Sequence, residues 1–224
     1  GADMKPLYEH VGVRAYDPHN VRVSLLPGCG RGHEWVGFAA YGHILCTLRR
    51  RRREILMIDS SSSVARTVEP QLTEALTTWL PAQRWFGAKG STVNSVRIVA
   101  REVLRDEPHF AAEHLLVEVQ LTQDAAVVTQ TYQVPLGFRI ELTDELRPWV
   151  LPVVGEVAVF DGLRDPEIIG LYGDAFADET GAGSIEFKVV DGSSVPSGLR
   201  GRVLGAEQSN TSVILGDQLL LKLF

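Results

Sequence analysis

The sequence predicts an α+β fold in two modules, a helix laid on an antiparallel sheet followed by a smaller β-rich unit. Apolar residues recur at helical spacing over Leu72, Ala75, Leu76, Trp79 and Leu80. Three later stretches, Val93 to Val99, Leu115 to Leu121 and Ala126 to Val134, instead carry the period of two expected of strands. Polar loops such as RDEPHF and LTQD separate them, too short for a crossover helix, so the strands should run antiparallel. After the proline-containing stretch RPWVLPVVG, short strand-like segments dominate, which marks a second module.

Residues 1–63 do not share this regularity. They hold PHN, PGCGRGH and the arginine run Arg49 to Arg53, with apolar pieces such as VRVSLL and HILCTL between them. The run is a solvated charge stretch on this reading, because no aromatic residues interleave with it to stack on bases. Met57 followed by IDSSSSVART has the pattern of a natural start and a polar leader, so the first 56 residues are expected to be an upstream extension, dispensable for folding.

Residues 64–150 form the first module. Pro70 suits the first helical turn and Pro81 closes the helix, which then packs its apolar stripe on the three strands. The second module covers residues 151–224. Val157 to Phe160 reads as its first strand, and Asp165-Pro166 as an N-cap and first-turn proline opening a helix through Ile168, Ile169, Leu171, Tyr172 and Phe176. Ile185, Phe187 and Val189 alternate as a strand. Residues 202–205, 212–216 and 219–224 read as three more, with Gly216-Asp217 turning the last two into a hairpin.

Composition narrows the function. With 45% hydrophobic and 22% charged residues and a net charge of −6, the chain is ordinary for a globular protein and wrong for one that coats nucleic acid. Two cysteines, Cys29 and Cys46, make neither a disulfide framework nor a zinc site, which predicts a reducing cytoplasmic setting. Six histidines stand singly, no apolar run is long enough to span a bilayer, and no secretory leader is visible. Neither nucleic acid nor membrane is therefore expected as a partner.

One charge is conspicuous. In the closing segment QLLLKLF, Leu220, Lys222 and Phe224 share one face of an extended chain and Leu219, Leu221 and Leu223 the other, so Lys222 interrupts an apolar face. It is either an edge-strand gatekeeper or a residue awaiting an anion.

Three segments resemble the actinobacterial maltokinases and the related aminosugar kinases: WLPAQRWFGAKG at 79–90, VAVFDGLRDPEIIGLYGDAF at 157–176 and RVLGAEQSNTSVILGDQLLLKLF at 202–224. The resemblance spans about residues 64 to 224 and is most specific in EQSNTS…LKLF. It implies a cystatin-like helix-on-sheet cap followed by the small, nucleotide-binding lobe of a protein-kinase-like fold. Lys222 then matches the third-strand lysine that reaches a nucleotide's phosphates, and Gly205 to Ser212 match the loop that covers them. That loop lacks the GxGxxG pattern, and Gln208, Ser209, Asn210, Thr211 and Ser212 supply donors instead. Glu207 is a candidate partner for Lys222 in an empty site, or a solvent-facing turn residue.

Other candidates have plainer readings. Trp85 and Phe86 should pack core rather than stack on sugar, Arg84 and Lys89 sit in a loop, Asp165 is a cap and Asp161 a turn residue. No catalytic or metal-ligating residue is assigned, because no HRD-like or DFG-like arrangement occurs. The resemblance thus implies the amino-terminal half of an ATP-dependent sugar kinase of trehalose and glucan metabolism, inactive alone, with ATP and Mg entering only in the full-length enzyme. Its partners would be a catalytic lobe in cis and a trehalose-processing enzyme. The alternative is a non-catalytic interaction or regulatory module.

Overall fold

The computed structural model describes residues 20–27, 44–49, 62–182, 185–187, 194–203, 211–216 and 219–223. The chain is α+β, and its elements stack as helix, sheet, helix, sheet. Among the described residues no helix is long and apolar enough to cross a membrane.

The first helix, α1 (Glu69–Trp79), has Pro70 in its first turn, and buries Leu72, Ala75, Leu76 and Trp79. This is the stripe read from the sequence. It lies against a four-stranded antiparallel meander made of β3 (Thr92–Glu107), β4 (Phe110–Gln123), β5 (Ala126–Arg139) and β6 (Ala158–Asp161). The strands are longer than alternation alone suggested, because RDEPHF contributes most of its residues to β3 and β4 and only 108–109 turn. Register shifts at Val93/Ser95, Ile98/Ala100 and Val103/Arg105 bend β3, which lets so long a strand curl around α1.

The fourth strand differs from the sequence expectation. Residues 158–161, taken as the opening of the second module, pair with Leu136 to Arg139 of β5 and complete the first sheet. The connection through residues 140–157, with a 3-10 turn at Arg147–Trp149, hides this adjacency from local pattern.

Strand β4 is buried on both faces. Ala111, Leu115, Val117, Val119 and Leu121 pack toward α1, whereas Phe110 and Ala112 join a second core built around α2 (Pro166–Ala177). Asp165 caps α2, its Oδ1 accepting from the Glu167 N–H at 2.9 Å. Arg139 donates to the other carboxylate oxygen at 3.0 and 2.8 Å while lying over the Phe110 ring at 4.1 Å, which ties the cap of α2 to the end of β5.

Gly137 makes the close approach of sheet and helix possible. A Cβ there would sit on the Phe160 ring and 2.7 Å from Ile168 Cδ1, both side chains fully buried. Gly137→Ala is expected to lower the unfolding free energy by about 1–3 kcal/mol, read as a shifted urea midpoint at unchanged slope. A midpoint equal to wild type would show that Phe160 and Ile168 yield without cost.

On its other side α2 meets a five-stranded antiparallel sheet. Two small strands, β7 (Gly181–Ala182) and β8 (Ile185–Glu186), precede it and pair with each other. Its own strands are β1 (Asn20–Pro27), β2 (Ile44–Arg49), β9 (Gly201–Val203), β10 (Thr211–Leu215) and β11 (Leu219–Leu223), in the order β2-β1-β11-β10-β9. Val213, Leu215, Leu219 and Leu221 face the α2 core. Residues 1–63 were expected to stand apart from the fold, yet Asn20–Pro27 and Ile44–Arg49 are strands of this sheet.

Candidate functional site

The third module strand, β11, carries Lys222. In the ladder Lys222 lies opposite Ser212 of β10 on one side and Ser24 of β1 on the other. Because Leu219 and Leu221 face α2, alternation puts position 222 in phase with Leu220, Ile214 and Ser212 on the far face of the sheet. Ser212 is fully buried in the strand, and Thr211 is half-buried opposite Leu223. These two residues therefore belong to β10 itself rather than to the loop that precedes it. Gln208, Ser209, Asn210 and Glu207 lie outside the described residues, as do the side chain of Lys222 and the position of Phe224. The structure thus brings Ser212 and Lys222 to adjacent ladder positions and joins β9 to β10 through the 204–210 segment.

The remaining sequence candidates take structural roles. Phe86 is buried and stacks on Tyr132 with ring centroids 4.9 Å apart, and Trp85 meets Trp79 edge-on at 5.9 Å. Both pack under the sheet, as expected. Arg84 and Lys89 are exposed. Asp161 caps the 3-10 turn Gly162–Arg164, accepting from the Leu163 N–H at 3.1 Å, and its carboxyl is raised by burial against the pull of Arg164. The Arg164 guanidinium in turn stacks over Trp149 at 3.6 Å.

Two buried polar groups escaped the sequence reading, both in the run AAEHLL of β4. Glu113 faces α1, accepts from the Ser62 N–H at 2.6 Å and lies 3.3 Å from Arg101, whose other terminal nitrogen is 2.6 Å from Glu69. Burial raises the Glu113 carboxyl above the usual range, opposed by the Ser62 hydrogen bond and by Arg101. His114, on the opposite face, shares a 2.7 Å hydrogen bond through Nδ1 with the Tyr172 hydroxyl of α2. Its complete burial lowers the imidazole to about 4, an interaction with Gln133 opposing this in part. The signal was present as two adjacent ionisable residues inside an apolar strand, which must each find a partner.

Both groups are buried and fasten neighbouring elements to each other. Glu113 and Arg101 fasten the start of α1 to the first sheet, and His114 fastens that sheet to α2. Among the described residues no cluster of three or more His, Cys, Asp or Glu could hold a metal ion.

The geometry so assembled is a helix on a curled four-stranded meander, joined through α2 to an antiparallel β-lobe. Comparison with known protein families matches residues 79–165, from the last residue of α1 through β6 to the N-cap of α2, to the maltokinase N-terminal cap domain. The matched stretch contains the whole sheet β3–β6, so residues 79–165 of this chain are similar to a maltokinase N-terminal cap domain.

Proposed function

We propose that this chain supplies the cap and the phosphate-facing β-lobe of an ATP-dependent sugar kinase, which transfers the γ-phosphoryl group of ATP to maltose or a related sugar in trehalose and glucan metabolism. The observation that carries the reading is the maltokinase cap at 79–165 leading through α2 into the meander β9–β10–β11, with Lys222 on the third strand. ATP would be met by Lys222 and by the donors of Gln208 to Ser212, and such a set suits phosphate because all its members are cationic or neutral. Bound ATP brings the reactive γ-phosphoryl group. The chain's part is to orient the phosphates by Lys222 and to cover them with the segment before β10. Magnesium is held by carboxylate oxygens, which this donor set does not contain, so on this reading the metal and the catalytic aspartate belong to the kinase's large catalytic lobe.

Fusing or co-expressing the chain with the large lobe of a maltokinase and coupling ADP release to maltose phosphorylation tests this. Turnover is expected only with the large lobe present. Lys222→Ala should then lower kcat/KM by about 100-fold, the scale of one lost charge contact in phosphoryl transfer. The melting temperature of the chain should barely move. β11 is paired on both sides, by β1 and β10, which removes the edge-gatekeeper reading of Lys222, so unchanged turnover in Lys222→Ala would make the lysine structural and the chain a non-catalytic module.

A further inference from the structure

We infer that Leu199 is a positioning residue for Lys222, a wedge that fixes the β10–β11 hairpin on α2; the inference rests on the kinase reading above. Hydrophobic burial holds this hairpin against the helix, since Val213, Leu215, Leu219 and Leu221 all join the α2 core. Such burial is non-directional, so by itself it lets a two-stranded unit tilt or slide over the helix surface. Direction has to come from shape and from hydrogen bonds. Both are concentrated in residues 198–201, the stretch that leads into β9.

This stretch lies between α2 and the turn of the hairpin. On its helix side the Gly198 N–H donates to Asp174 Oδ1 at 2.7 Å. The Leu199 carbonyl rests where Gly170 and Gly173 leave room on α2, 3.6 and 3.7 Å from the Cβ positions that alanines would occupy there. On its hairpin side the Gly216 N–H donates to the Arg200 carbonyl at 2.8 Å. The half-buried Leu199 side chain fills the remaining gap, since a Cβ on Gly216 would lie 2.6 Å from Leu199 Cδ2. Gly216 also has φ 56°, a left-handed conformation that glycine adopts freely. One leucine thus meets the helix through its main chain and the hairpin turn through its side chain.

What the wedge controls is the far end of the hairpin. From the turn the ladder runs through Leu215 and Leu219 to Ser212 and Lys222. Position 222 is therefore about 10 Å beyond Leu219, at ~3.3 Å per strand residue. A tilt at the turn grows along this length into a displacement at position 222, and misplacing a group at the reacting phosphates by ~1 Å can cost about 100-fold. Leu199 packs with the α2 core, whereas position 222 is in phase with the opposite face of the sheet. Its effect on the lysine is accordingly carried by the hairpin backbone, not by contact.

The test compares Leu199→Ala, the volume-conserving Leu199→Met and Lys222→Ala. In the whole chain, hydrogen exchange should show the Gly216 amide of Leu199→Ala losing about tenfold in protection, with β3–β6 unchanged as the control for folding. Joined to the large lobe of a maltokinase, Leu199→Ala should raise KM for ATP by about tenfold and leave KM for maltose unchanged, and Leu199→Met should restore the ATP value. A merely structural leucine would lower the active fraction, seen in kcat, and move neither KM. Wild-type protection of Gly216 in Leu199→Ala would overturn the wedge. So would a wild-type KM for ATP in Leu199→Ala beside a large loss of turnover in Lys222→Ala, with the kinase reading left standing. Unchanged turnover in Lys222→Ala would overturn that reading, and the role of Leu199 with it.

Discussion

Replacing Arg101 by methionine should destabilise the protein by about 3–5 kcal/mol, the cost of leaving a partner charge buried and unpaired. The guanidinium is only 9% exposed and sits between the fully buried Glu113 at 3.3 Å and the Glu69 carboxylate at 2.6 Å. Burial already raises Glu113, so losing its cation raises it further. The sign of the pH dependence follows. A carboxyl whose folded pKa lies above its unfolded one favours the fold below the unfolded pKa and loses that contribution as pH rises through the folded value, so the Arg101→Met deficit should shrink on acidification. Adding Glu113→Gln should restore much of the loss by removing the charge itself. Urea midpoints of the two variants at pH 7 and pH 5 measure this, and a single-variant loss under 1 kcal/mol would show that water reaches Glu113.

Acid should weaken the junction between the first sheet and α2 by a comparable amount. His114 falls from its ordinary 6.5 to about 4 because it is fully buried against Tyr172. On lowering the pH the unfolded chain binds this proton first. The contribution is therefore complete above about pH 6.5 and is lost as pH drops toward 4, with a ceiling of about 3 kcal/mol for a shift of that size. His114→Asn keeps an oxygen near the Nδ1 position but cannot titrate, so its stability should fall less steeply between pH 7 and pH 4 than that of the wild type. Parallel slopes in the two proteins would mean that His114 is protonated without penalty and that Tyr172 or water accommodates the charge.

Residue spacing made much of the first module legible. The stripe Leu72, Ala75, Leu76 and Trp79 had to be a helix face, and the alternation Leu115, Val117, Val119, Leu121 had to be a strand face, because each period allows one buried side. Asp165-Pro166 announced the start of α2 for equally local reasons. The resemblance in WLPAQRWFGAKG pointed to the maltokinase cap, and the family match over 79–165 contains that segment. At the candidate site, the β10–β11 hairpin and the strand position of Lys222 were readable, and the strand read over 212–216 begins one residue earlier, at Thr211.

Contacts between segments distant in sequence were not readable, since nothing in a local pattern states which strand will lie beside another. The pairing of Ser24 with Lys222 and of Leu136 with Asp161 are of this kind. So are the partners of Glu113 and His114, whose burial is set by α1 and α2 closing on opposite faces of one strand. By itself the sequence determined which elements form and which face each must bury, because propensity, capping and periodicity act over a few residues. Only the tertiary structure decided strand order, the ionic partners inside β4 and the cover on the edge of β11, because those depend on which surfaces exclude water together.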